Sequence, residues 1–76
     1  MSGTVLVTAG TPFAIAIDAT FVYWTDTAAG TINKVPIAGG APVTLATEQD
    51  TPISIAVDAT NVYWTTSGAV NRLALK

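Results

Sequence analysis

The chain has 76 residues and a net charge of −2; half of its residues are hydrophobic, 11% are charged, and it contains no Cys and no His. That length lies below the size at which one hydrophobic core comfortably stabilises a lone domain. Without Cys or His, disulfides and the common zinc-ligand sets are excluded, and with only Lys34, Arg72 and Lys76 basic no phosphate-tracking patch for nucleic acid can be built.

So little charge, against roughly 25% in an ordinary soluble domain, cannot coat a body this small. The composition therefore predicts that the chain buries surface against other chains. No segment approaches the roughly 20 apolar residues of a membrane span. The opening Met-Ser-Gly-Thr lacks the basic and apolar regions of a secretion signal, so the expectation is no membrane partner and no signal within this chain. The absence of Cys fits any compartment and leaves the location open.

Taken in chain order, the first predicted strand is Thr4, Val5, Leu6, Val7 and Thr8. Residues 11–26, TPFAIAIDATFVYWTD, then recur as residues 51–66, TPISIAVDATNVYWTT, with eleven of sixteen positions identical. Within each copy, residues 13–17 and 53–57 alternate large and small with a period of two, the pattern of a strand. Asp18 and Asp58 each open a short turn in which the carboxylate can accept from backbone N–H groups. Val-Tyr-Trp-Thr at 22–25 and 62–65 follows as an aromatic and β-branched second strand.

A third strand is predicted at Thr31–Val35, matched by Ala69–Leu73 after a two-residue deletion in the second copy. Pro36 to Pro42 is turn chemistry, and Val43–Ala46 forms a fourth strand that aligns with the N-terminal Val5-Leu6-Val7. Four short strands per period of about 40 residues predict two blades of a β-propeller. Small residues at 14, 16, 54 and 56 flatten one side of each first strand, so that a bulky face can stack on a shallow one. A plain β-sandwich could use the same alternation but explains the period less well.

The strand order makes the cut between the third and fourth strands of a blade. Residues 1–10 hold an outer strand with no blade of its own, 11–47 a complete blade, and 48–76 a blade lacking its outer strand. The expected resolution is that each N-terminal strand completes the last blade of the next chain by β-augmentation. Such a contact is heterologous and must close into a ring or run on as a filament. Two blades per chain restrict a closed ring to an even number of blades.

Tyr23-Trp24-Thr25-Asp26, with Ile-Asp-Ala-Thr before it and Gly-Thr-Ile-Asn-Lys-Val after it, resembles a blade of the YWTD-type propellers, and the resemblance covers nearly the whole chain. Propellers of that type usually have six blades, which implies a homotrimer. In the family the motif lies on the second strand and packs neighbouring blades together. This makes Asp18, Tyr23, Trp24, Thr25, Asp26, Asp58, Tyr63, Trp64 and Thr65 structural by resemblance. The second copy departs by carrying Thr66 where the first has Asp26.

Catalysis is not expected. The commonest general base and the thiol nucleophile are absent, and Ser2, Ser54 and Ser67 have no His partner for a triad. Asp18 and Asp58 occupy equivalent turns and read as hairpin caps. The leading expectation is a self-assembling scaffold that needs no cofactor. The alternative is a module binding a glycan, a peptide or a cation at the channel mouth, where Glu48, Gln49 and Asp50 form an acidic loop offering oxygen ligands.

Overall fold

The structure, a computed structural model, describes residues 3–6 and 10–74. Among these residues the protein is all-β, with seven strands in two antiparallel sheets. Among the described residues no helix is long and apolar enough to cross a membrane. The first sheet is a meander of β1 (Pro12–Ile17), β2 (Phe21–Asp26), β3 (Thr31–Pro36) and β4 (Val43–Ala46), paired in that order. The second repeats the first three strands as β5 (Ile55–Val57), β6 (Asn61–Thr65) and β7 (Val70–Ala74).

The registers of the two sheets agree residue for residue. Ile15 faces Trp24 as Ile55 faces Trp64, and Val22 faces Val35 as Val62 faces Leu73. Since side chains alternate across a strand, each sheet has two chemically different faces. In the first sheet, Ile15, Ile17, Val22, Trp24 and Val35 share one face, while Phe21, Tyr23, Thr25 and Ile32 share the other. The equivalent sets in the second sheet are Ile55, Val57, Val62, Trp64 and Leu73 on one face, and Tyr63, Thr65 and Val70 on the other.

The core between the sheets joins unlike faces. Tyr23 and Ile32 of the first sheet pack on Val62 and Trp64 of the second, with Leu45, Ile55, Val57 and Leu73 at the margin. Tyrosine-bearing face therefore meets tryptophan-bearing face. β5 lies against β1 and β2, which places the leading strands of the two sheets side by side.

Two features depart from the sequence expectation. β5 begins at Ile55, two residues late, because the pairing is irregular opposite Thr65, as it is between Pro12 and Ile15 in the first copy. Thr4, Val5 and Leu6 belong to no sheet within the single chain. Val7 and Thr8 of the predicted N-terminal strand lie outside the described residues.

Candidate functional site

The repeated turn is built identically in both copies. Asp18 Oδ1 accepts from the backbone N–H groups of Thr20 (2.8 Å) and Phe21 (2.7 Å), and Asp58 Oδ1 does the same for Thr60 (2.9 Å) and Asn61 (2.8 Å). The second oxygen of each accepts from a phenol: Tyr23 Oη donates to Asp18 Oδ2 and Tyr63 Oη to Asp58 Oδ2, both at 2.7 Å. The turn is thus tied to the strand that leaves it. The capping was legible in the sequence; the phenol bond was signalled only by the five-residue Asp-to-Tyr spacing in each copy.

These bonds favour the ionised carboxylates and the protonated phenols. The Tyr23 hydroxyl, followed by the Phe21 and Thr20 amides, holds Asp18 below the usual carboxylate value. Asp58 is lowered first by the Thr60 amide and then by Tyr63. Burial, and then the bond to Asp18, pushes Tyr23 up to about 12, whereas half-buried Tyr63 is raised chiefly by its bond to Asp58.

Thr25 and Thr65 serve the irregularity in the first pair of strands. Where the ladder slips, the N–H of Ala14 donates to Thr25 Oγ1 (3.1 Å) and that of Ser54 to Thr65 Oγ1 (3.2 Å). A hydroxyl on the second strand rescues an amide that the slip would orphan. This role is intrinsic to one sheet and needs no neighbour.

Asp26 and Thr66, the one motif position that differs, are explained by the loops beside them. Buried Asp26 accepts from the N–H groups of Ala29 (3.0 Å) and Thr11 (3.4 Å), capping a four-residue turn. A Cβ at Gly10 would stand 3.1 Å from its Oδ2. In the second copy the turn is shorter, closed by Thr66 N–H to Ala69 O at 2.9 Å, and the carboxylate comes from the opposite loop: Asp50 Oδ2 accepts from Ser67 Oγ at 2.6 Å. Asp50 aligns with Gly10, so the acid has changed sides.

The acidic loop is partly committed to structure. Gln49 Oε1 accepts from the indole Nε1 of Trp64 (2.8 Å), and its backbone N–H donates to Gly30 O (2.9 Å). It fastens the linker between sheets to the turn of the first and the core of the second. Glu48 is exposed with φ 58°. Among the described residues, no three acidic side chains gather as a cation would require. The tie between Gln49 and Trp64 was not anticipated; the signal for it was a core Trp whose N–H needs an acceptor.

What remains unsatisfied is the pair of outer faces. Val70 is 79% exposed, whereas its repeat equivalent Ile32 is 0% exposed in the core. Ile15 and Ile17 are 70% and 61% exposed, whereas Ile55 and Val57 are half-buried. A cavity of about 440 Å³ lies over the free tryptophan-bearing face, bounded by Ile15, Val22, Trp24 and Val35 and by Val5 and Leu6 of the N-terminal segment. At the turn end of the molecule a second cleft, about 520 Å³, separates the two sheets; Asp18, Tyr23 and Lys34 line one wall and Val57 and Asp58 the other. There the Lys34 ammonium sits 4.0 Å over the Phe21 ring.

A comparison with protein-family models and a search of curated proteins found no match to this chain.

Proposed function

We propose that this chain is a self-assembling scaffold, two YWTD-type blades cut between their third and fourth strands, and that three copies close head to tail into a six-bladed propeller. The observation that carries the reading is the mismatch in exposure between repeat equivalents. One joint inside the chain buries a tyrosine-bearing face against a tryptophan-bearing face. One face of each kind is left over, and the side chains exposed on them correspond to those the internal joint covers. Repeating the internal joint between chains pairs every face, and a head-to-tail contact repeated three times closes without a free end.

The N-terminal segment supports the same arrangement. β4 leads into β5 and lends Leu45 and Ala46 to the core beneath Trp64. Val5 and Leu6 precede β1 in the same way and stand beside Trp24. On this reading residues 4–8 become the fourth strand of the preceding chain's second sheet, pairing with the β7 edge that β4 occupies on β3. Pairing removes two open edges at once. The function is assembly, with the ring as a platform for interaction and no catalytic step assigned.

Size-exclusion chromatography with light scattering tests this. The expected mass is three times the 7.8 kDa of the chain. Two or four chains would retain the joint and change the blade number, and a folded monomer at all concentrations would overturn the proposal.

A further inference from the structure

The cleft at the turn end carries an order of charge that the ring would continue. Inside the chain, Asp18 and Asp58 line one cleft together with Lys34, so two carboxylates are held with one cation between sheets. Lys34 acts on Asp18, lowering its pKa as the last of several causes. Its repeat equivalent is Arg72, which sits opposite Tyr63 in the ladder as Lys34 sits opposite Tyr23. Arg72 is exposed, and its charge is felt by Tyr63 and so reaches the Asp58 turn.

We propose that Arg72 determines the specificity of the joint between chains, standing between Asp58 of its own chain and Asp18 of the next. The inference rests on the head-to-tail reading above. Superposing the internal cleft on the joint puts Ile17 and Asp18 of the following chain where Val57 and Asp58 stand inside one chain. Six turn carboxylates then alternate with three Lys34 and three Arg72 around one end of the ring. Without the arginine, two carboxylates would face each other across each joint with no cation, a like-charge juxtaposition that opposes closure.

The two clefts are not equivalent in how they hold their cation. Phe21 offers Lys34 a ring, whereas the corresponding residue at the joint is Asn61, half-buried and already bonded through its Nδ2 to Thr60 Oγ1 at 2.8 Å. Among the described residues, no ring holds Arg72 as Phe21 holds Lys34. Its guanidinium has five donors in a planar fork, and Asp18 uses three acceptor positions, on Thr20, Phe21 and Tyr23, leaving a lone pair for a fourth donor. Arg72 is therefore free to reach across the joint, while Lys34 is held on its own wall.

The test is Arg72→Gln, with Lys34→Gln as the control that removes the same charge from the internal cleft. Mass by light scattering and the dilution at which the ring dissociates are measured over a range of NaCl concentrations, with circular dichroism reporting the fold of the dilute chain. A part-exposed ion pair implies that Arg72→Gln weakens each joint about threefold, or roughly 30-fold over three joints, and flattens the salt dependence. Lys34→Gln leaves the salt dependence of dissociation in place. A parent ring with the Arg72→Gln ring dissociating at the same dilution and with the same salt slope overturns the assignment. A parent chain that stays monomeric instead overturns the ring itself, so the two failures are distinct.

Discussion

Val70→Asp separates the fold of one chain from the joint between chains. In the single chain Val70 is 79% exposed near the free edge of the second sheet, so the substitution loses little burial. Its cost to the dilute chain is the strand preference of Val over Asp, about 1 kcal/mol at most. In the proposed ring Val70 would take the environment of Ile32, which is fully buried against the neighbouring sheet. Removing the valine there forfeits about 1.5 kcal/mol of burial, and desolvating a carboxylate without a partner adds at least as much. The joint is weakened by about 3 kcal/mol or more, upwards of 100-fold in its association constant. Urea denaturation of the dilute chain and light scattering of the concentrated one read the two effects separately. A Val70→Asp chain that assembles like the parent would refute burial of Val70 at the joint. Its exposure in the single chain is refuted if the dilute chain loses the 2–5 kcal/mol expected of Ile32→Ala, a true core truncation.

Two further outcomes follow from single-chain geometry. Gly30→Ala places a Cβ 2.6 Å from Gln49 O at a φ of +70°, so it strains the turn and pushes out the linker that holds Trp64; a loss of about 2 kcal/mol in denaturant unfolding is expected, and an unchanged midpoint would contradict the close approach. The Asp18–Tyr23 bond sets limits to stability at both ends of the pH scale: the lowered carboxylate stabilises above its ordinary value and its contribution vanishes as pH falls through the folded value, whereas the raised phenol stabilises fully below pH 10 and its contribution is lost as pH rises through about 12. Tyr23→Phe should narrow this stable range, and tyrosinate absorbance of the folded parent should show a late-titrating phenol that the variant lacks.

The strands and their turns were legible because each is signalled twice. Alternation places residues 13–17 in a strand, and the same alternation 40 residues later makes chance implausible; Asp-Ala-Thr then marks each turn. The all-β class follows from these local patterns alone. The start of β5 was not legible, because Ile53 and Ser54 alternate as well as their neighbours do. What removes them from the regular ladder is the slip at Thr65, whose hydroxyl takes the Ser54 amide. The hydrogen bonds of the acidic loop were not legible either. Glu48, Gln49 and Asp50 suggest a ligand loop by composition, yet Gln49 is held by Trp64, 15 positions away, and Asp50 by Ser67, 17 positions away. Contacts of that separation leave no periodic trace in the chain.

On the proposed head-to-tail assembly, the differences between the copies mark an internal joint and an inter-chain joint that are unequal. At the internal joint the linker is two residues longer, and Gln49 uses that length to bond the Trp64 indole and the Gly30 carbonyl together. The N-terminal counterpart of that linker, Ala9-Gly10, has no side chain able to make such a bond to Trp24. Asp26 favours glycine at the end of this short segment, since a Cβ at Gly10 would stand 3.1 Å from the carboxylate Oδ2. By the repeat alignment, an Asp at both positions would set two carboxylates near each other; the second copy, with Asp50 in the linker, carries Thr66 on the strand. Asp26 with Gly10 and Thr66 with Asp50 are thus compensated pairs, and a change at either member alone should cost more than both together. In the proposed ring, the joint between chains would then be the one without a glutamine tie. If the proposed ring forms, it should therefore come apart between chains before it comes apart within one, and dilution should release intact two-sheet chains rather than single sheets.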